Sequence, residues 1–236
     1  MIIKDYSVSQ EDFTLVYDSV LELYRTNPVP DELGKYYESE AYISHTDSRK
    51  TLFDRLYQWV KSYNLKHKIA LIKQYKKGNI QLLDIGAGTG DFVLSSKEYA
   101  HWEAMGIEPS EKARAKAEKK GLLLQADFGN LLPHSFDVIT MWHVLEHVPD
   151  VTQEIQIISK LLKENGIAVI AVPNYRSWDA QHYKEHWAAY DVPRHLWHFS
   201  KKSIEQLFAK EGFHLLATHP MLFDAFYVSM LSEQYK

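Results

Sequence analysis

From Ile80 onward, short apolar runs alternate with stretches of helical periodicity, and this alternation restricts the fold more than any other feature of the chain. The runs cover residues 81–85, 104–107, 122–124, 136–140 and 167–172. Strands that recur with helical segments between them form repeated β-α units around a parallel sheet. Between the last two runs, Val151, Ile155, Ile158, Leu161 and Leu162 form an apolar stripe, which predicts a helix closed at Asn165-Gly166. Another helix is predicted to begin at Ser200 and to carry Ile204, Leu207 and Phe208 inward. Gly212 would end it ahead of a sixth strand at residues 213–217. The fold class that follows is α/β, with a doubly wound, mostly parallel sheet.

The first eighty residues read differently. Ser9 and Asp12 look like a capping box, and Phe13, Val16, Tyr17, Val20 and Tyr24 recur at helical spacing, so a helix is expected up to about Tyr24. A polar, Tyr-rich stretch at 36–45 follows, and Leu52, Phe53, Leu56, Val60 and Tyr63 then predict a second helix. The expected organisation is a helical N-terminal appendage over residues 1–79 and an α/β domain over 80–236. A chain of 236 residues with 45% hydrophobic content suits one core with such an appendage.

Charge and composition narrow the function classes. A net charge of −4 gives no general attraction to phosphate backbones or anionic membranes, so nucleic acid is not the expected partner. The absence of cysteine removes disulfides, thiolate nucleophiles and cysteine zinc sites, and is compatible with a reducing compartment. Residues 1–10 lack a basic flank followed by an apolar run, and no stretch reaches the length of a membrane span. A cytoplasmic location without membrane insertion is expected.

The chemistry concentrates where the run 81–85 enters Gly86-Ala87-Gly88-Thr89-Gly90 and then the helical pattern from Asp91. Glycines at a strand-to-helix turn let the backbone approach a ligand, and the helix offers it unpaired N–H groups. A dinucleotide fingerprint has two residues between its second and third glycines. Here Thr89 stands alone between Gly88 and Gly90, and Asp84 places a carboxylate that would welcome a cationic amino group and repel a pyrophosphate. Glu108, followed by Pro109 after the second run, can accept hydrogen bonds from both hydroxyls of a ribose. Asp127, beside Phe128 after the third, can accept one from an adenine amino group. A nucleoside ligand accounts for all three acids.

The segments Leu83-Asp84-Ile85-Gly86-Ala87-Gly88-Thr89-Gly90, Gly106-Ile107-Glu108-Pro109, Ala126-Asp127-Phe128 and the stretch from Ser135 to Val148 resemble successive motifs of class I methyltransferases. The resemblance extends from about Ile80 to Ala217 and is strongest toward the branch holding ubiquinone-biosynthesis O-methyltransferases, through Leu145-Glu146-His147-Val148-Pro149 and 191–199. It implies a Rossmann-like sheet of seven strands and S-adenosylmethionine as cofactor. Asp84, Gly86, Ala87, Gly88 and Gly90 would then lie near its methionine part, Glu108 and Pro109 at the ribose, and Asp127 and Phe128 at the adenine. Met141, Trp142 and His143 would lie beside the sulfonium.

Methyl transfer needs the acceptor aligned with the methyl group and a destination for its proton. His143, His195 and His198 are the candidate bases, although structural roles are the commoner fate of a histidine in a chain holding twelve. Glu146 and His147 are possible metal ligands by type, yet neighbouring positions on a helix point apart, and no metal is expected. Tyr37, Tyr42 and His45 are expected to form a lid or to meet the substrate. The expected reaction is methylation of a small molecule at oxygen. A non-catalytic nucleoside-binding module and a nicotinamide-dependent oxidoreductase are the alternatives, the second disfavoured by the glycine spacing. After residue 220, helical spacing replaces any period-two run, so a seventh strand is expected to be absent, leaving an edge that invites a homodimer.

Overall fold

The computed structural model describes residues 1–37, 52–129 and 131–236, without the side chains of 52–59. In chain order the strands and helices are β1 (Ile2–Lys4), β2 (Asp12–Asp18), β3 (Leu23–Asn27), α1 (Leu52–Tyr75), β4 (Gln81–Ile85), α2 (Asp91–Ala100), β5 (Glu103–Ile107), α3 (Glu111–Glu118), β6 (Phe136–Trp142), α4 (Val151–Leu161), β7 (Leu162–Ala171), α5 (Trp178–Tyr183), β8 (Trp197–His198), α6 (Lys201–Ala209) and α7 (Leu222–Tyr235). Contacts divide the chain into two compact units. One comprises Asp47–Val144 and Gln156–Ala171, the other Met1–Thr46, Leu145–Ile155 and Val172–Lys236.

The first unit holds the expected parallel sheet, in the order β5-β4-β6-β7. Its central strands are covered on both faces: Leu82, Leu83, Val138 and Ile139 have no exposed surface. This is why their sequences read as continuous apolar runs rather than alternating ones. Ile69 and Ile72 of α1, Phe92 and Val93 of α2, and Trp102 join Leu82 and Val138 in one core cluster. Register places Asp84 opposite both Gly106 and Thr140, which sets the site described below.

Three expectations for the sheet are corrected. Residues 122–124 form no strand: Leu123 is exposed, and only Gln125 makes a parallel bridge, to Ile107. The helix α4 ends at Leu161 instead of at Asn165-Gly166, because Leu162 already pairs with Phe136, and a register shift before Val138 accommodates the intervening residues. Residues 213–217 form no strand either, and Leu215 and Leu216 stand exposed. Among the described residues nothing after 220 is a strand, as expected, and α7 follows the helical spacing.

The second unit corrects the N-terminal reading. The helix expected at 13–24 is replaced by an antiparallel sheet in the order β1-β2-β3-β8. Phe13 and Leu15 are buried two residues apart, while Val16, Tyr17 and Val20 are exposed. The period-two burial of Phe13 and Leu15 therefore overrides the helical spacing. Ser9 does not cap a helix; its N–H and hydroxyl donate to the Asp5 carboxylate. The hairpin closes through Asp18, whose Oδ1 accepts the N–H groups of Val20 and Leu21. Arg194, 1% exposed, donates to Asp191 through Nε and Nη2, to Asp5 through Nη2 at 3.0 Å and to the Tyr36 carbonyl through Nη1. Ser200 caps α6 as the sequence predicts, in a reciprocal box with Ser203.

Candidate functional site

The glycine turn after β4 adopts left-handed backbone at all three glycines, with φ of +70° at Gly86, +55° at Gly88 and +77° at Gly90. Two of them are fixed by packing. A Cβ on Gly86 would lie 2.4 Å from Val144 Cγ2, and one on Gly90 would lie 2.3 Å from Leu122 Cδ2. A Cβ on Gly88 would meet nothing within 4 Å. The middle glycine is therefore the point where a ligand can come against the backbone. The Gly88 N–H donates to Glu108 Oε2 at 2.7 Å, and the Ser110 N–H donates to Oε1 at 2.8 Å. Glu108 thus ties the turn to the start of α3, and each of its oxygens keeps a further lone pair.

Asp84 is 2% exposed and accepts from Thr140 Oγ1 at 2.6 Å. Burial pushes its carboxyl up to about 7, against the lowering effects of the Thr140 bond and the Lys68 cation, and the nearby Glu108 charge adds to the rise. Lys120 braces the turn by donating to Thr89 Oγ1 at 3.0 Å and to Asp91 Oδ1 at 2.8 Å, while Lys61 pairs with Asp91 Oδ2 at 3.0 Å. Burial alone would raise the Asp91 carboxyl, but the bonds from Lys120, Lys61 and Thr89 outweigh it and hold the group low.

Ala87 is buried and donates its N–H to the Ile107 carbonyl. Pro109 is exposed, and its carbonyl accepts from Arg114 at 2.7 Å. Asp127 is exposed and accepts the Gly129 N–H at 2.8 Å, with Phe128 half-buried beside it. Met141 is fully buried. The Trp142 ring meets Phe92 edge-on at 5.4 Å and has Lys68 Nζ 4.3 Å from its centroid. His143, exposed, closes β6 in left-handed backbone at φ +59° and donates its N–H to the Ala171 carbonyl. A non-glycine residue in that region is uncommon and concentrates at functional sites.

His195 and His198 belong to the other unit. His198 is 4% exposed, with Nε2 2.9 Å from Thr26 Oγ1, and burial drives its pKa well below the ordinary value, so its ring is neutral. His195 bonds the Ala189 carbonyl through Nδ1 at 2.9 Å. The Tyr37 hydroxyl lies 3.1 Å from His147 Nδ1, whereas Tyr42 and His45 fall outside the described residues. The sequence reading missed Thr140, Lys68 and Lys120. The Thr140 partner is legible only once β4 and β6 are known to be neighbours. The two lysines carry no local signal.

A family model described as a methyltransferase domain matches residues 55–218. The ubiquinone biosynthesis O-methyltransferase of Pelagibacter ubique is 40% identical over 106 residues, covering 41% of this chain and 43% of that protein. That of Histophilus somni is 31% identical over 131 residues, 47% of this chain and 54% of that one. The chain thus spans about half the length of the curated relatives it matches. A SAM-dependent methyltransferase from Archaeoglobus fulgidus shares the fold with a TM-score of 0.54 at 18% identity, over 80% of this chain and 91% of that one. Phosphoethanolamine N-methyltransferase 2 of Haemonchus contortus, in complex with S-adenosyl-L-methionine, reaches 0.57 at 15% identity, over 99% of this chain and 60% of that one. With the glycine turn, the paired acids and the parallel order β5-β4-β6-β7 in place, the family match over 55–218 makes this chain a member of the methyltransferase domain family, with the class I, S-adenosylmethionine-dependent fold.

Proposed function

We propose that the chain transfers a methyl group from S-adenosylmethionine to a hydroxyl oxygen of a small molecule. The observation that carries the reading is the open position at Gly88, bordered by the carboxylate of Glu108 and following the buried carboxyl of Asp84 on β4. These residues fit a nucleoside bearing a cationic amino group: Gly86, Ala87, Gly88 and Gly90 supply close-approaching backbone, Asp84 a carboxyl for the ammonium, and Glu108 lone pairs for ribose hydroxyls. Asp127 and Phe128 would hold the adenine, and Met141, Trp142 and His143 the neighbourhood of the sulfonium. When bound, the cofactor supplies an electrophilic methyl group. The exposed imidazole of His143 would then accept the acceptor's proton. Methylation at oxygen draws its support from the relatives named as O-methyltransferases. No helix among the described residues is long and apolar enough to cross a membrane.

Titration calorimetry tests the cofactor half. S-adenosylmethionine and S-adenosylhomocysteine should bind and NAD should not. Glu108→Ala should weaken binding by about 1.5–3 kcal/mol, since a charged acceptor is lost. Binding of NAD with no response to S-adenosylhomocysteine would overturn the reading. Transfer of labelled methyl groups to a panel of phenols and amines tests the acceptor half, with label expected on the phenols and strongly reduced in His143→Ala.

A further inference from the structure

Among the described residues, Glu146, His147 and His195 each offer a ligand atom within 4.8 Å of the other two. All three lie in the unit that contains the antiparallel sheet. On an α-helix, adjacent Glu and His would point apart, but Leu145–His147 is a single 3-10 turn, and the third group arrives from a distant part of the chain. Backbone bonds hold the two segments together: the Leu196 N–H donates to the Glu146 carbonyl at 2.8 Å, and Trp197 Nε1 donates to the Val148 carbonyl at 2.7 Å.

The imidazoles are already set in one tautomer. His147 Nδ1 lies 2.9 Å from the Arg194 carbonyl, and His195 Nδ1 lies 2.9 Å from the Ala189 carbonyl. A carbonyl oxygen only accepts, so both Nδ1 atoms carry a proton, and in the neutral form of each ring the lone pair sits on Nε2. A ring nitrogen held by a backbone carbonyl is the outer support that metal-ligating histidines use to fix orientation and raise ligand basicity. The two rings meet at 4.6 Å between centroids with planes 78° apart. The other charged group nearby, Asp191, is 3.8 Å from His195 Nε2, and its carboxylate is taken by Arg194.

We propose that Glu146, His147 and His195 form a site for a first-row divalent transition metal ion, with zinc the best chemical match. Two neutral imidazoles and one carboxylate suit zinc or ferrous iron over calcium or magnesium, which take oxygen ligands. Three protein ligands leave at least one position for water or an oxygen ligand. The inference is independent of methyl transfer, because no cofactor residue takes part in it.

Cobalt(II), whose visible absorption reports tetrahedral or five-coordinate binding, is the probe. Titrated into metal-stripped full-length protein, it should give a visible band that saturates at one ion per chain and is displaced by zinc. His195→Asn and His147→Asn keep an amide donor for the carbonyl and remove Nε2. Each should weaken cobalt binding at least tenfold, with circular dichroism unchanged, whereas the exposed His101→Asn should bind as the parent does. For the case in which those variants misfold, the unsubstituted protein labelled with 15N-histidine gives a second readout: cobalt should broaden two of the twelve ring systems first. No visible band, a band that survives both substitutions in folded protein, or broadening spread over all rings would overturn the site.

Discussion

At the scale of single residues, Asp84 makes the sharpest prediction. Its folded pKa of about 7 stands above the unfolded value of 3.8. Below about pH 3 the carboxyl is protonated in both states. As pH rises toward 7 the unfolded chain ionises while the folded one resists, so stability falls across that window and then levels off. The swing is on the order of 4 kcal/mol. Urea midpoints measured from pH 4 to 8 should show the decline, and Asp84→Asn should flatten it; an unchanged profile in the variant would refute the assignment. An ammonium group placed beside Asp84 favours the carboxylate, so affinity for S-adenosylmethionine should rise with pH up to about 7 and lose that dependence in the same variant. The acid's position before the glycines was visible in the sequence. Its protonation was not, since this depends on burial and on Thr140, fifty-six positions along the chain.

At the scale of elements, the glycine turn separates packing from binding. Gly90→Ala forces a Cβ onto the buried Leu122, which should cost roughly 1–3 kcal/mol from overpacking, beyond about 1 kcal/mol for the left-handed backbone. Gly88→Ala carries only the backbone cost. It should fold nearly as well as the parent yet bind S-adenosylmethionine at least tenfold more weakly, because the methyl group occupies the approach to the backbone. Urea denaturation and calorimetry on both variants check this, and equal losses of stability would sink the distinction. The turn itself was legible because strand, glycines and helix are contiguous. The N-terminal strands were not: Phe13, Val16, Tyr17 and Val20 satisfy helical spacing, and only pairing with β1 and β3 shows that Phe13 and Leu15 form the inward set.

At the scale of the molecule, each unit has its own means of cohesion. In the unit with the antiparallel sheet, Arg194 joins residues far apart in sequence by pairing with Asp5 and Asp191 in the interior. The Asp5 carboxyl is held low although burial opposes it, because Ser9 and Arg194 bind its charged form. Arg194→Met would leave two carboxylates without their cation and should destabilise this unit by about 3–5 kcal/mol. Loss of near-ultraviolet circular dichroism at lower urea concentration is the expected sign, and a change below about 1 kcal/mol would show that the buried pairs contribute little.

What the sequence determined by itself is the parallel α/β sheet and the glycine turn. Both arise from contiguous patterns, apolar runs at strand length and glycines between a strand and a helix, whose physical meaning does not depend on distant partners. The tertiary structure decided the rest. The stretches at 122–124 and 213–217 have apolar residues enough for strands, but a strand exists only where a neighbour offers a ladder of N–H and C=O groups, and there the ladder is a single bridge or is missing among the described residues. The meeting of Glu146 and His147 with His195 was likewise decided by the fold, because proximity between side chains so far apart in the chain is set by which backbone segments hydrogen-bond to each other, not by their spacing in sequence.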